Sequence, residues 1–107
     1  MPTSTIGIAT IGASQTAATA VTGWSSSTPC GFGVLVSLPT SNTGTIYYGF
    51  ITGVTTSTGI PIPTGVPYTI NPAGLIQSQA GGVTPTLSNL FFIASGSGQA
   101  FTAEAIG

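Results

Sequence analysis

The chain has no lysine, no arginine and no histidine, and Glu104 is its only acidic residue. Ordinary soluble domains carry roughly 25% charged side chains; this one carries 1%. Without a cationic side chain nothing neutralises a phosphate, which excludes counterion-release binding to nucleic acid. A polybasic attachment to a membrane surface fails for the same reason. General acid–base catalysis draws on histidine, lysine or paired carboxylates. Here the titratable candidates shrink to Glu104, Cys30 and three tyrosines, so no catalytic residue and no enzymatic role are expected. One Glu and one Cys do not complete a coordination shell, so neither a metal nor a cofactor is expected.

Long apolar runs are missing too. The most apolar stretch, residues 90–94, is far short of the roughly 18 residues a spanning helix needs. The single Cys30 has no partner for an internal disulfide and no histidine to activate it, so it reads as a packed thiol, consistent with synthesis in a reducing cytoplasm. Met1-Pro2-Thr3-Ser4-Thr5 lacks a basic n-region and an apolar h-region, so no export signal is expected.

What is present is a modest core. The 107 residues fit one small domain, 41% are hydrophobic, and the mean hydropathy is +0.53. With a net charge of −1, this is the opposite of a disordered composition. β-Branched and aromatic residues dominate the apolar set, and 16 glycines and 8 prolines leave little room for a long helix. Phe32, Val34, Val36 and Leu38 alternate as one core face of a strand, and Ile46, Tyr48 and Phe50 as another. Ile60-Pro61-Ile62-Pro63 cannot be a central strand, because proline removes ladder donors. Val66, Tyr68 and Ile70 alternate again. Leu75-Ile76 reads as a short buried segment before a loop over 77–86. Residues 90–95 are apolar on both faces, as a central strand is, and Phe101, Ala103 and Ala105 form the inner side of a last strand. These short strands predict an all-β chain, a small antiparallel, jelly-roll-like β-sandwich over 29–107. Residues 1–28, poor in large anchors, read as an extended N-terminal arm or edge segment.

Adjacent Tyr47 and Tyr48 must point to opposite faces of a strand, one to the core and one to a surface or interface. Trp24, in a Ser-rich loop, carries the same ambiguity. Ile6 and Ile8 share one face of the first segment. The candidate interface residues are therefore Trp24, Tyr47, Tyr48, Ile6 and Ile8. Glu104 is expected to face water. The Thr-rich runs lack the regular spacing of an ice-binding face, and Gly81-Gly82 and Gly96-Ser97-Gly98 lead into no phosphate-binding motif.

Three segments carry a resemblance to a family: Ser41-Asn42-Thr43-Gly44-Thr45-Ile46-Tyr47-Tyr48-Gly49; residues 53–62 leading into Gly65-Val66-Pro67-Tyr68-Thr69-Ile70; and Leu90-Phe91-Phe92-Ile93-Ala94-Ser95 with Gly98-Gln99-Ala100-Phe101-Thr102. From about residue 32 onward the chain resembles small structural proteins of tailed bacteriophages; residues 1–31 lie outside the resemblance. It implies a β-sandwich on the capsid surface of the virion, made in the host cytoplasm. The implied role is a cement or decoration protein whose partner is the major capsid protein. The near absence of charge gives little colloidal protection against association, so a homo-oligomer, a dimer or trimer, is also expected. The alternative is a glycan- or receptor-binding module of a phage head or tail fibre, with Trp24 and a tyrosine stacking on sugar rings.

Overall fold

The computed structural model describes residues 4–28, 30–50, 52–71, 87 and 90–107. Within them the alternating stretches form eight strands: β1 (Ser4–Ile11), β2 (Thr16–Ala17), β3 (Gly33–Ser37), β4 (Ile46–Gly49), β5 (Ile60–Ile62), β6 (Tyr68–Ile70), β7 (Phe91–Ala94) and β8 (Gln99–Ile106). They build two four-stranded sheets, β1-β8-β3-β6 and β2-β7-β4-β5, antiparallel at every pairing. This strand order is that of an eight-stranded jelly roll, so the expected all-β sandwich is what forms. Leu75, Ile76 and the loop expected over 77–86 lie outside the described residues.

The period-two pattern decides which strands are central. Along β8, Gln99, Phe101, Ala103 and Ala105 are buried while the residues between them face outward. Both faces of β7 are buried, which fits its place between β2 and β4. Pro61 lies in β5, at an edge, where a missing ladder donor is tolerated. The interior is an aromatic stack. Phe92 and Phe101 meet edge-on across the sandwich at 4.9 Å between ring centres. Trp24 packs against them at 6.5 Å and 6.2 Å.

Residues 4–28 are built into this core. β1 pairs with β8 over all eight of its residues, as the edge strand of its sheet. Ile11, Ala18, Val21 and Trp24 share one buried cluster with Phe92 and Phe101, so the boundary expected near residue 28 does not divide the core. A short 3-10 turn at Ala18–Ala20 follows β2.

Phe32 departs from its expected place on the core face: it is 69% exposed. The cause is Gly33, whose φ of +109° turns the backbone between Phe32 and Val34 and breaks the alternation just before β3. The Phe32 N–H still donates to the Ile106 carbonyl (2.8 Å).

Neutral side chains do the tying that ion pairs do elsewhere. Asn42 donates to the Ala100 carbonyl (2.9 Å) and accepts from the Ala100 N–H (2.9 Å). Buried Gln99 accepts from Gly44 N–H (2.8 Å) and donates to Ser97 carbonyl (2.8 Å) and Thr43 Oγ1 (3.3 Å). These contacts clasp the β3–β4 loop to the β7–β8 turn and the start of β8. On the outer side of the second sheet, Val54 from the β4–β5 loop packs on Phe91 and Ile93, beside Ala17 and Tyr47. Gly49 makes room for it: a Cβ there would lie 2.8 Å from Val54 Cγ2. The loop is held by Gly53 N–H donating to Gln15 Oε1. A Thr55–Thr58 hydroxyl turn closes it (Thr55 N–H to Thr58 Oγ1, 2.9 Å).

Candidate functional site: the outer face of one sheet

The two sheets differ in what covers their outer faces. The second is covered by the chain's own residues around Val54. The first, made of β1, β8, β3 and β6, presents Ile6 (60% exposed), Ile8 (59%) and Leu35 (38%). The register sets them in rows. Ile6 and Leu35 flank Glu104 as its two cross-strand partners, and Ile8 and Ser37 flank Thr102 in the next row. Directly opposed side chains on one face touch, so the only carboxylate side chain stands between two aliphatic ones. Ile6, Leu35, Ser37, Thr102, Ala103 and Glu104 line a shallow hollow of about 160 Å³.

Ile6 and Ile8 share a face of β1, as expected, and it is the outer one; the inner positions are Thr5, Gly7, Ala9 and Ile11. The small inner residues leave space for Trp24. A Cβ on Gly7 would lie 2.5 Å from the indole.

Trp24 lies in the core, 6% exposed, rather than on the surface. Gly23, at φ +94°, turns the chain so that the indole passes beneath β1 and Nε1 donates to the Thr5 carbonyl (3.0 Å). Nor is it available to a sugar ring. The Ser-rich composition around it marks only the exposed turn that follows, closed by Ser25 N–H donating to Thr28 Oγ1 (2.9 Å). Tyr48 is likewise core, with its hydroxyl bonded to that of Tyr68 (2.8 Å) between the two sheets. Burial, the Tyr68 hydrogen bond and the Tyr68 charge all raise its pKa. Tyr47 points to the opposite face, half-buried beside Val54. Of the five candidate interface residues, only Ile6 and Ile8 lie on the open face. Leu35 and Glu104 complete it and were not among the candidates. Their signal was the register of β1, β8 and β3, which places them beside Ile6.

Glu104, expected to face water, is half-buried on this face. Cys30 is buried, and that burial pushes its thiol pKa up to about 11, so at neutral pH it is protonated and unreactive. Among the described residues no group of three or more His, Cys, Asp or Glu is placed to hold a metal, and no helix is long and apolar enough to cross a membrane.

The edges of the sheets are poor places for strand addition. The outward edge of β1 is occupied by the chain itself: Ile8 N–H donates to Thr22 carbonyl (3.2 Å), and Gly23 lies so close to the Ile6 carbonyl that a Cβ would be 2.4 Å from its oxygen. β2 has two residues, and β5 and β6 three each. Short, covered or proline-bearing edges resist edge-to-edge pairing, which in other proteins is often the work of lysine. No protein-family model matches the chain, and no curated protein or solved structure is significantly similar to it.

Proposed function

We propose that the chain is a non-catalytic structural module that docks through the outer face of the β1-β8-β3-β6 sheet onto a larger protein assembly. The assembly its sequence resemblance indicates is the major capsid protein lattice of a tailed bacteriophage, on which it would act as a cement or decoration protein at the virion surface. The observation that carries this reading is the asymmetry of the two outer faces. One is covered by Val54 of the chain's own loop, while the other leaves Ile6, Ile8 and Leu35 open to solvent. Three exposed aliphatics gathered on one face, two on β1 and one across Glu104 on β3, support its use as an interaction surface. The blocked edges favour face-on docking over strand addition. A dimer or trimer on the lattice belongs to the same reading.

Cryo-microscopy of purified virions of the encoding phage tests it. Density fitting this sandwich is expected on the head shell, with Ile6, Ile8 and Leu35 turned toward the lattice. A shell map fully accounted for by other chains removes the reading. So does a map in which this chain contacts the lattice through the Val54 side.

A further inference from the structure

We infer that the hollow around Glu104 receives a lysine or arginine side chain from the partner, with its aliphatic stem over Ile6 and Leu35 and its cationic head on the carboxylate. The inference rests on the docking face proposed above and names what that face recognises.

Three observations meet at this point. Glu104 is the only charged side chain in the molecule, and it stands half-buried on the open face. Its two cross-strand neighbours are Ile6 and Leu35. A carboxylate covered by an apolar partner there would lose hydration without compensation, which is costly unless a cation arrives with the partner. That cation cannot be a side chain of this protein, because the chain has no lysine, arginine or histidine. A second copy laid on the same face would bring another Glu104 and no positive side chain. Charge complementarity therefore selects a different protein with a basic side chain.

The lining fits that occupant. Lysine and arginine are long aliphatic stems ending in a charge. The hollow offers aliphatic walls, the Ser37 and Thr102 positions beside them, and one carboxylate, in about 160 Å³. Its openness to solvent leaves the stem free to enter from above the sheet.

Two experiments separate this inference from the docking reading. In the first, binding of the full chain to purified capsid shells is compared for the native protein and Glu104→Gln. Thermal melting of both variants confirms that the isosteric change leaves the fold intact. Loss of the ion pair is expected to weaken binding ~10-fold, with a shallower dependence on NaCl. Equal affinity and equal salt dependence overturn the basic-side-chain inference while leaving face docking in place. Failure of the native chain to bind shells removes the capsid reading instead.

The second experiment needs no shell. Amide shifts of the native protein are followed during titration with acetyl-Ala-Lys-Ala-amide and with its norleucine counterpart, which keeps the stem and lacks the charge. Shifts confined to Ile6, Leu35 and Glu104, larger for lysine and abolished by Glu104→Gln, are expected. Equal responses to the two peptides, or none at these residues, overturn the inference.

Discussion

At the scale of single residues, the fold depends on small side chains where a large one is nearby. Gly7 is the clearest case, because the Trp24 ring occupies the space its Cβ would take. The indole is fixed from three sides, by Phe92, Phe101 and the Thr5 carbonyl, so it cannot yield cheaply. Gly7→Ala is expected to destabilise the domain by about 2 kcal/mol, the usual cost of overpacking, and to quench or shift Trp24 fluorescence as the ring is displaced. Chemical denaturation followed through that single tryptophan measures both. Alanine at exposed Gly53, where a Cβ would meet nothing within 4 Å but φ is +93°, separates backbone strain from collision. It should cost less than Gly7→Ala and leave the tryptophan spectrum unchanged.

Two residues also make stability depend on alkaline pH. Burial pushes the Cys30 thiol from 9.0 up to about 11, and Tyr48 is raised by burial and by Tyr68. In both cases the folded state keeps a proton that the unfolded chain releases. Stability is thus fully present below about pH 9 and is lost as pH rises through the folded-state values. The midpoint of urea unfolding, measured under reducing conditions, should be flat from pH 7 to 9 and fall above it. Cys30→Ala should lower the midpoint throughout but delay the onset of the fall to the tyrosine range. A curve that rises above pH 9 is incompatible with buried, protonated groups.

At the scale of elements, the loop clasp at Asn42 shows how a nearly charge-free chain orders its connections. Asn42 uses its amide as a short piece of strand, donating to and accepting from the same residue, Ala100. Replacing it with Asp keeps the acceptor for Ala100 N–H but sets a second carboxylate oxygen against the Ala100 carbonyl. Replacing it with Ala removes both bonds. Asn42→Ala is expected to cost about 1–2 kcal/mol, and Asn42→Asp at least as much at neutral pH despite being nearly isosteric. Hydrogen exchange at the Ala100 amide, faster in Asn42→Ala, reports the loss locally, and thermal melting reports it globally.

The same scale shows which parts of the fold were legible in the sequence. β7 and β8 could be placed because their patterns are decided locally: apolar on both faces for β7 and strict alternation for β8. Pro61 and Pro63 marked the edge position of β5 before any pairing was known. β1 was legible on its outer face, where Ile6 and Ile8 share a side, but not on its inner one, where Trp24, from 17 residues beyond Gly7, fills the space that the small residues leave. Trp24 itself was hidden by its neighbours' composition, since serines on one side of a turn say nothing about the residue on the other. The site was half legible. Ile6 and Ile8 could be grouped from spacing, but Leu35 and Glu104 join them only through the pairing of β8 with both β1 and β3, a long-range fact that local patterning does not carry.

At the scale of the whole molecule, one charged side chain among 107 residues separates two effects of salt that are mixed in most proteins. Screening by NaCl weakens Coulombic attractions and repulsions, but an ion pair between side chains cannot form here without a basic residue. Screening therefore has almost nothing to act on within the fold. What remains is the effect of salts on burial itself, through exclusion of ions such as sulfate from the protein surface. The melting temperature is expected to stay nearly constant as NaCl rises at constant pH from low ionic strength to ~0.15 M, where the Debye length shrinks to ≈ 8 Å. Sodium sulfate at matched ionic strength is expected to raise it. Calorimetry in the two salt series distinguishes these outcomes. A melting temperature that falls steeply with NaCl would require a Coulombic contribution that the side chains of this sequence cannot supply. On the proposed docking reading, binding to capsid shells should by contrast weaken in the same NaCl series, because Glu104 then meets a basic side chain. The isolated protein and its complex are then expected to answer one reagent in two different ways, and the difference locates the charge pair at the docking face.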